Sequence, residues 1–298
     1  MLALNLLYEL THPNAVYSVA FSSDGKMLAS ASLDNTIKLW DNSTGEEKAR
    51  LRGHGDGVCG VAFSPDNMTL ISASLDRSIR FWDVASGTLQ TTLSAHQDYL
   101  GCMAVSADGT MLATGGYDKE VLLWDVSGRT NTMVLKGHTD AIYGVAFSPD
   151  NQQLASCGND DSLRLWDCKS AQQQQTFRGH TGAVQGVAFS PDGQTLASAG
   201  SDQTIQLWNV ASGKLDRTLR GHKGLVKCVT FVSDGRLLAS GGSDMTIRLW
   251  EADTGKQRTM VVGHSNTVYC VAFAPAGDKL ASASFDRTIK LWDLEKSS

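Results

Sequence analysis

Residues 137–167 read GHTDAIYGVAFSPDNQQLASCGNDDSLRLWD, and within this stretch lie His138, Ser156 and Asp160, the side-chain types of a nucleophilic hydrolase. Chemistry of that kind needs a base within hydrogen-bond reach of the hydroxyl and a carboxylate that orients the base. The rest of the chain gives the trio another meaning. The seven histidines, His12, His54, His96, His138, His180, His222 and His264, stand 42 residues apart, and the seven tryptophans from Trp40 to Trp292 keep the same interval. An aspartate recurs as Asp34, Asp76, Asp118, Asp160, Asp202, Asp244 and Asp286, and a hydroxyl residue as Ser30, Ser72, Thr114, Ser156, Ser198, Ser240 and Ser282. A fixed period in this range marks a solenoid, a propeller or an array. Seven copies of one constellation, one with threonine in place of serine, are a structural motif, so no catalytic residue is assigned.

Each unit reads as strands. In the quoted unit AIYGVAF and QQLASCG are β-prone runs separated by SPDN, a turn composition. SLRLWD follows, with Leu163 and Leu165 alternating against Ser162 and Arg164, and QQQTF makes a fourth run before the next Gly-His. Four strands, labelled a to d, fill 42 residues and leave no room for a helix. The strand-c column Lys38, Arg80, Arg164, Arg248 and Lys290 reads as exposed, solvated edge charge rather than a nucleic-acid stripe.

Gly-His, a hydrophobic strand, SPDG, runs like LASAS, an Asp and a closing Trp-Asp together resemble the WD-repeat β-propeller family, over nearly the whole chain. The resemblance implies an all-β fold, a seven-bladed propeller of four-stranded antiparallel blades around a central channel, with residues 1–298 as a single domain. It also implies that the recurring His, Ser or Thr, Asp and Trp of each blade share a hydrogen-bond chain. After Trp292 only DLEKSS remains, so the last blade lacks its strand d, whereas the N-terminal LALNLLYEL occupies the strand-d position of a preceding repeat. That segment is expected to pair with Thr288 to Trp292 and close the ring. Departures from the motif are mild: Thr11 and Ala95 stand where Gly precedes His elsewhere, Asn209 and Glu251 replace the terminal Asp, and Val105 replaces a Phe.

Composition excludes several roles. The net charge of −5 is spread without a basic run, against a nucleic-acid partner. MLALNLLYEL has no positive leader and too few residues to cross a bilayer, so no membrane role is expected. The six cysteines form no CxxC pair and mostly occupy positions of Ala, Gly or Ser in other units, which reads as buried thiols in a reducing, cytoplasmic compartment, with no disulfide and no metal. No GxSxG, GxxxxGK[ST] or HExxH occurs, so neither an enzyme nor a cofactor is expected.

Function then falls to columns that vary while the framework repeats. The residue before the repeated Asp reads Leu33, Leu75, Tyr117, Asn159, Ser201, Ser243 and Phe285; in the resembling family this b–c loop position faces the narrow top of the ring. The residue five after the His reads Tyr17, Cys59, Gly101, Tyr143, Gln185, Lys227 and Tyr269, which by the same resemblance rims the channel. With Tyr99, the expected partner-binding residues are Tyr17, Leu33, Leu75, Tyr99, Tyr117, Tyr143, Tyr269 and Phe285. Aromatic groups gathered on one exposed face suit a protein or peptide partner of a monomeric scaffold, and the tyrosines admit an Arg- or Lys-bearing peptide through cation–π contact. The plainer alternative is that they cap the channel and pack on neighbouring blades. Two further readings stay open: a regulatory domain of a longer polypeptide, or an engineered or consensus scaffold with no natural ligand, since no insertion or deletion interrupts the repeats.

Overall fold

The computed structural model describes residues 2–296. Among them, strands form seven four-stranded antiparallel sheets, with no helix, and each sheet is one blade. Blade 1 comprises Val16–Phe21, Met27–Ser32, Thr36–Asp41 and Glu47–Arg52 as strands a to d, and the pattern repeats around the ring. Each strand a packs against strand a of the next blade, and Val268–Phe273 of blade 7 packs against Val16–Phe21 of blade 1, which closes the circle.

Both faces of a blade are covered by its neighbours, so the apolar core lies between blades. Ala29, Ile37, Leu39 and Leu51 of blade 1, for example, meet Val58, Val61, Leu70 and Trp82 of blade 2. Strand b sits deepest and is built of small residues because the neighbouring sheet approaches closely; Leu154, Ala155, Ser156 and Cys157 are fully buried. The SPDN and SPDG turns work as the composition suggests. Ser148 Oγ donates to Asp150 and accepts from the Gln153 amide at 2.9 Å, and Asn151 takes the left-handed φ of 59° that Asn and Gly tolerate.

The N-terminal strand, Leu2–Thr11, is the outer strand of blade 7, paired antiparallel with Thr288–Lys296 from Thr11↔Thr288 to Leu2↔Lys296. Leu4 and Leu10 are buried in two different interblade cores, so this strand fastens blade 7 to both neighbours. One detail departs from the sequence alignment. Thr11 pairs with Thr288 as Arg52 pairs with Thr36, so the loop into His12 is one residue shorter than in blade 1, and Thr11 is a ladder residue rather than a substitute for Gly.

The strand-c column is a correction. Lys38, Arg164 and Arg248 are buried, and Arg80 and Lys290 are half-buried, so none is solvated edge charge. Their heads bond locally: Lys38 Nζ to the Thr11 carbonyl and Glu47, each at 2.8 Å, Arg248 to Gln257 at 2.6 Å, and Lys290 to Glu9 at 3.0 Å. Lys38 shows how such a charge is housed: its side chain is 6% exposed and its ammonium lies 4.9 Å from the Trp40 ring centre. Gly53, before His54, has a φ of 155°, and a Cβ there would also meet Arg80 Nη1 at 2.6 Å and the Trp82 ring at 3.3 Å.

Candidate functional site

The recurring quartet forms the same chain in all seven blades. In blade 4, Trp166 Nε1 donates to Ser156 Oγ at 2.7 Å, Ser156 Oγ lies 2.7 Å from His138 Nε2, and His138 Nδ1 lies 3.0 Å from Asp160. Thr114 keeps the pattern in blade 3, at 2.9 Å from His96 and 3.0 Å from Trp124. With His neutral and Asp ionised every group is used: Nδ1–H donates to the carboxylate, the hydroxyl donates to Nε2, and indole N–H donates to the hydroxyl oxygen.

Electrostatics favour that proton arrangement. Burial would raise Asp34 and Asp286, but hydrogen bonds outweigh it, from His12 and Thr36 to Asp34 and from Thr288 and the Ser265 amide to Asp286, and hold both carboxyls at about 2. Burial lowers His12 and His264, against the opposing pull of Asp34 and Asp286. In blades 2 to 7 the amide after the His also donates to the Asp, as Thr139 does to Asp160 at 3.0 Å; in blade 1 that residue is Pro13, which has no N–H. The hydroxyl is sealed: Ser156 is fully buried and its oxygen is capped by the indole, so no substrate reaches it.

The variable columns come together at one end of the ring. In every blade the amide of the b–c loop residue donates to the carbonyl three after the His: Leu33 to Ala15, Leu75 to Gly57, Tyr117 to Tyr99, Asn159 to Ala141, Ser201 to Ala183, Ser243 to Leu225 and Phe285 to Thr267. The rim column has a feature that sequence reading missed. Strand a pairs with strand b on either side of Tyr17, Cys59, Gly101, Tyr143, Gln185, Lys227 and Tyr269 but skips these residues, so each sits on a β-bulge. A bulge re-aims one side chain out of the alternation. Here the bulged residues join the lining of the channel, whose cavity is about 430 Å³.

The aromatic residues form two runs of ring contacts. Phe285, Tyr269 and Tyr17 succeed one another at 6.2 and 4.5 Å between ring centres, and Tyr99, Tyr117 and Tyr143 at 6.1 and 6.0 Å. Leu33 and Leu75 lie between the runs over Gly57, where a Cβ would meet Leu33 at 2.3 Å and Leu75 at 3.4 Å. Tyr99, Tyr117 and Phe285 are exposed by 40–47%, whereas Tyr17, Tyr143, Tyr269, Leu33 and Leu75 are half-buried and pack on neighbours. Leu225 and Met245 add exposed apolar surface on blade 6. Leu225 shares the repeat position of Tyr99, a signal that could have found it; Met245 occupies the left-handed position after the Asp, which varies freely in sequence.

All six cysteines are free, and burial pushes the Cys102 and Cys168 thiols up to about 12. Among the described residues no group of three or more His, Cys, Asp or Glu side chains is placed to hold a metal ion, and no helix is long and apolar enough to cross a membrane.

The family model described as WD domain, G-beta repeat, matches residues 4–41, 45–83, 87–125, 129–167, 171–209, 213–251 and 255–293. No curated protein matches the chain.

Proposed function

The chain belongs to the WD40 repeat family of propellers, and from that premise we propose that it is a non-catalytic scaffold whose loop-bearing end binds a protein or peptide. The observation that carries the reading is the pair of aromatic runs, left partly exposed although the interblade cores are already filled. Tyrosine in such a setting offers large contact area together with a hydroxyl. An Arg- or Lys-bearing peptide would set its cation on blades 3 and 4, where Tyr99, Tyr117 and Tyr143 stand with Asp98 and Asp140, since Lys227 on blade 6 repels it there. The same reading takes residues 1–298 as one domain, monomeric because the N-terminal strand covers the last blade's edge, and places it in a reducing, cytoplasmic compartment, in keeping with the free buried thiols.

The test is selection from a displayed peptide library on immobilised protein. Selected peptides should lose binding at least about tenfold to a Tyr99→Ala, Tyr117→Ala, Phe285→Ala variant, the loss expected for removing aromatic anchors. Equal binding by that variant would defeat the proposal.

A further inference from the structure

Lys227 differs from every other residue of its column. Among the described residues it is the one charged side chain lining the channel cavity; the other lining residues are tyrosines, cysteines, Gln185 and small or apolar groups, with no carboxylate among them. Its ammonium donates to Gln185 Oε1 at 2.8 Å, and Gln185 is itself held by donating Nε2 to Ser201 Oγ at 3.0 Å. The Tyr269 ring centre lies 5.8 Å from Nζ. An ammonium has three N–H donors, and the amide oxygen takes one. A partly desolvated cation without a counter-ion costs stability, so this position is unfavourable for the fold alone. Burial accordingly lowers the Lys227 pKa.

We propose that the channel around Lys227 is an anion site that takes a carboxylate. A carboxylate would accept a charge-assisted hydrogen bond from Nζ and a further bond from the phenols nearest it, Tyr269 and its ring neighbour Tyr17. Burial raises the Tyr17 phenol, so it stays protonated and remains a donor. A cavity of about 430 Å³ accommodates a small acid with room to spare. A single ammonium with no arginine fork matches a monoanionic group better than a phosphate dianion. The carboxylate can come from a free small acid or from the acidic side chain of a peptide reaching into the mouth, and the experiment separates these sources.

Calorimetric melting of the full chain is followed with sodium acetate, with N-acetyl-aspartate amide, with its asparagine counterpart, with phosphate, and with sodium chloride at matched ionic strength. Lys227→Gln is the variant, and it should fold because Gln185 already fills the equivalent bulge in blade 5. The expected result is a saturable rise of about 1–2 °C with either acid at tens of millimolar, absent with asparagine and chloride and lost in Lys227→Gln. Acetate alone acting assigns the site to free acids; the aspartate compound acting as well extends it to acidic side chains. No Lys227-dependent response to either acid, or a larger one to phosphate, overturns the proposal. The measurement involves no macromolecular partner, so it fails or succeeds independently of peptide binding over the rim.

Discussion

Replacing Ser156 by alanine removes one hydroxyl that serves two buried groups. Trp166 Nε1 loses its acceptor at 2.7 Å and His138 Nε2 loses its donor at 2.7 Å, at a site where Ser156 is 0% and Trp166 1% exposed. Each stranded group costs about 1–3 kcal/mol, so the pair should cost about 3 kcal/mol, well above the loss of an ordinary exposed hydrogen bond. Unfolding entropy of about 2.1 cal/mol/K per residue gives about 0.6 kcal/mol/K for a chain of 298 residues, so the expected fall in Tm is about 5 °C. Scanning calorimetry measures it, with Ser156→Thr as the control because Thr114 fills the same place in blade 3. The threonine variant should keep most of the stability. In a Trp166→Phe background the alanine change should cost less, because the indole donor is already gone. A fall of under about 1 °C, or equal falls for alanine and threonine, would refute the network's role in holding the blade together.

Acid should destabilise the ring in two stages. His12 and His264 are lowered in the fold, so their contribution is present above the unfolded value of about 6.5 and is lost as pH falls below it. Asp34 and Asp286, held at about 2, contribute above the unfolded carboxylate range and lose that contribution as pH falls from about 4 towards 2; a Tm flat from pH 7 to pH 3 would contradict both. Deleting residues 1–11 bares the Thr288–Lys296 edge and the contacts of Leu4 and Leu10, at a cost of about 3 kcal/mol or more, and light scattering should show association; a monomer with unchanged Tm would refute the latch. The Tyr99→Ala, Tyr117→Ala, Phe285→Ala variant should melt within about 2 °C of the unaltered protein, since these residues are 40–47% exposed; a larger fall would mean that they hold the loops instead of facing a partner.

Much was legible from the period alone. Forty-two residues with four short β-prone runs fix the blade, seven Trp and seven His fix the number of blades, and the stray N-terminal run has one place to go. The quartet could be recognised as structural because all its members recur together. The eight candidate residues do gather at one end of the ring, but their split into three exposed and five half-buried groups was not legible, because exposure there depends on neighbouring loops some 40 residues away.

What only the tertiary structure decided follows from geometry that leaves no trace in hydrophobic alternation. A β-bulge inserts one unpaired residue without breaking the surrounding pattern, so nothing in VYSVAF or VKCVTF shows that Tyr17 and Lys227 are the re-aimed positions. The basic strand-c column looks solvent-facing in a single strand because every second residue is polar; in the ring the segment leading into each His, such as Gly53 at Arg80 and Thr11 at Lys38, lies against it, and the charges find Glu47, Gln257 and Glu9. Sequence thus determined the ring and its framework, since those rest on local periodicity repeated seven times. Closure of the ring decided how the rim side chains meet across the channel, and among the described residues left Lys227 facing a space without a carboxylate.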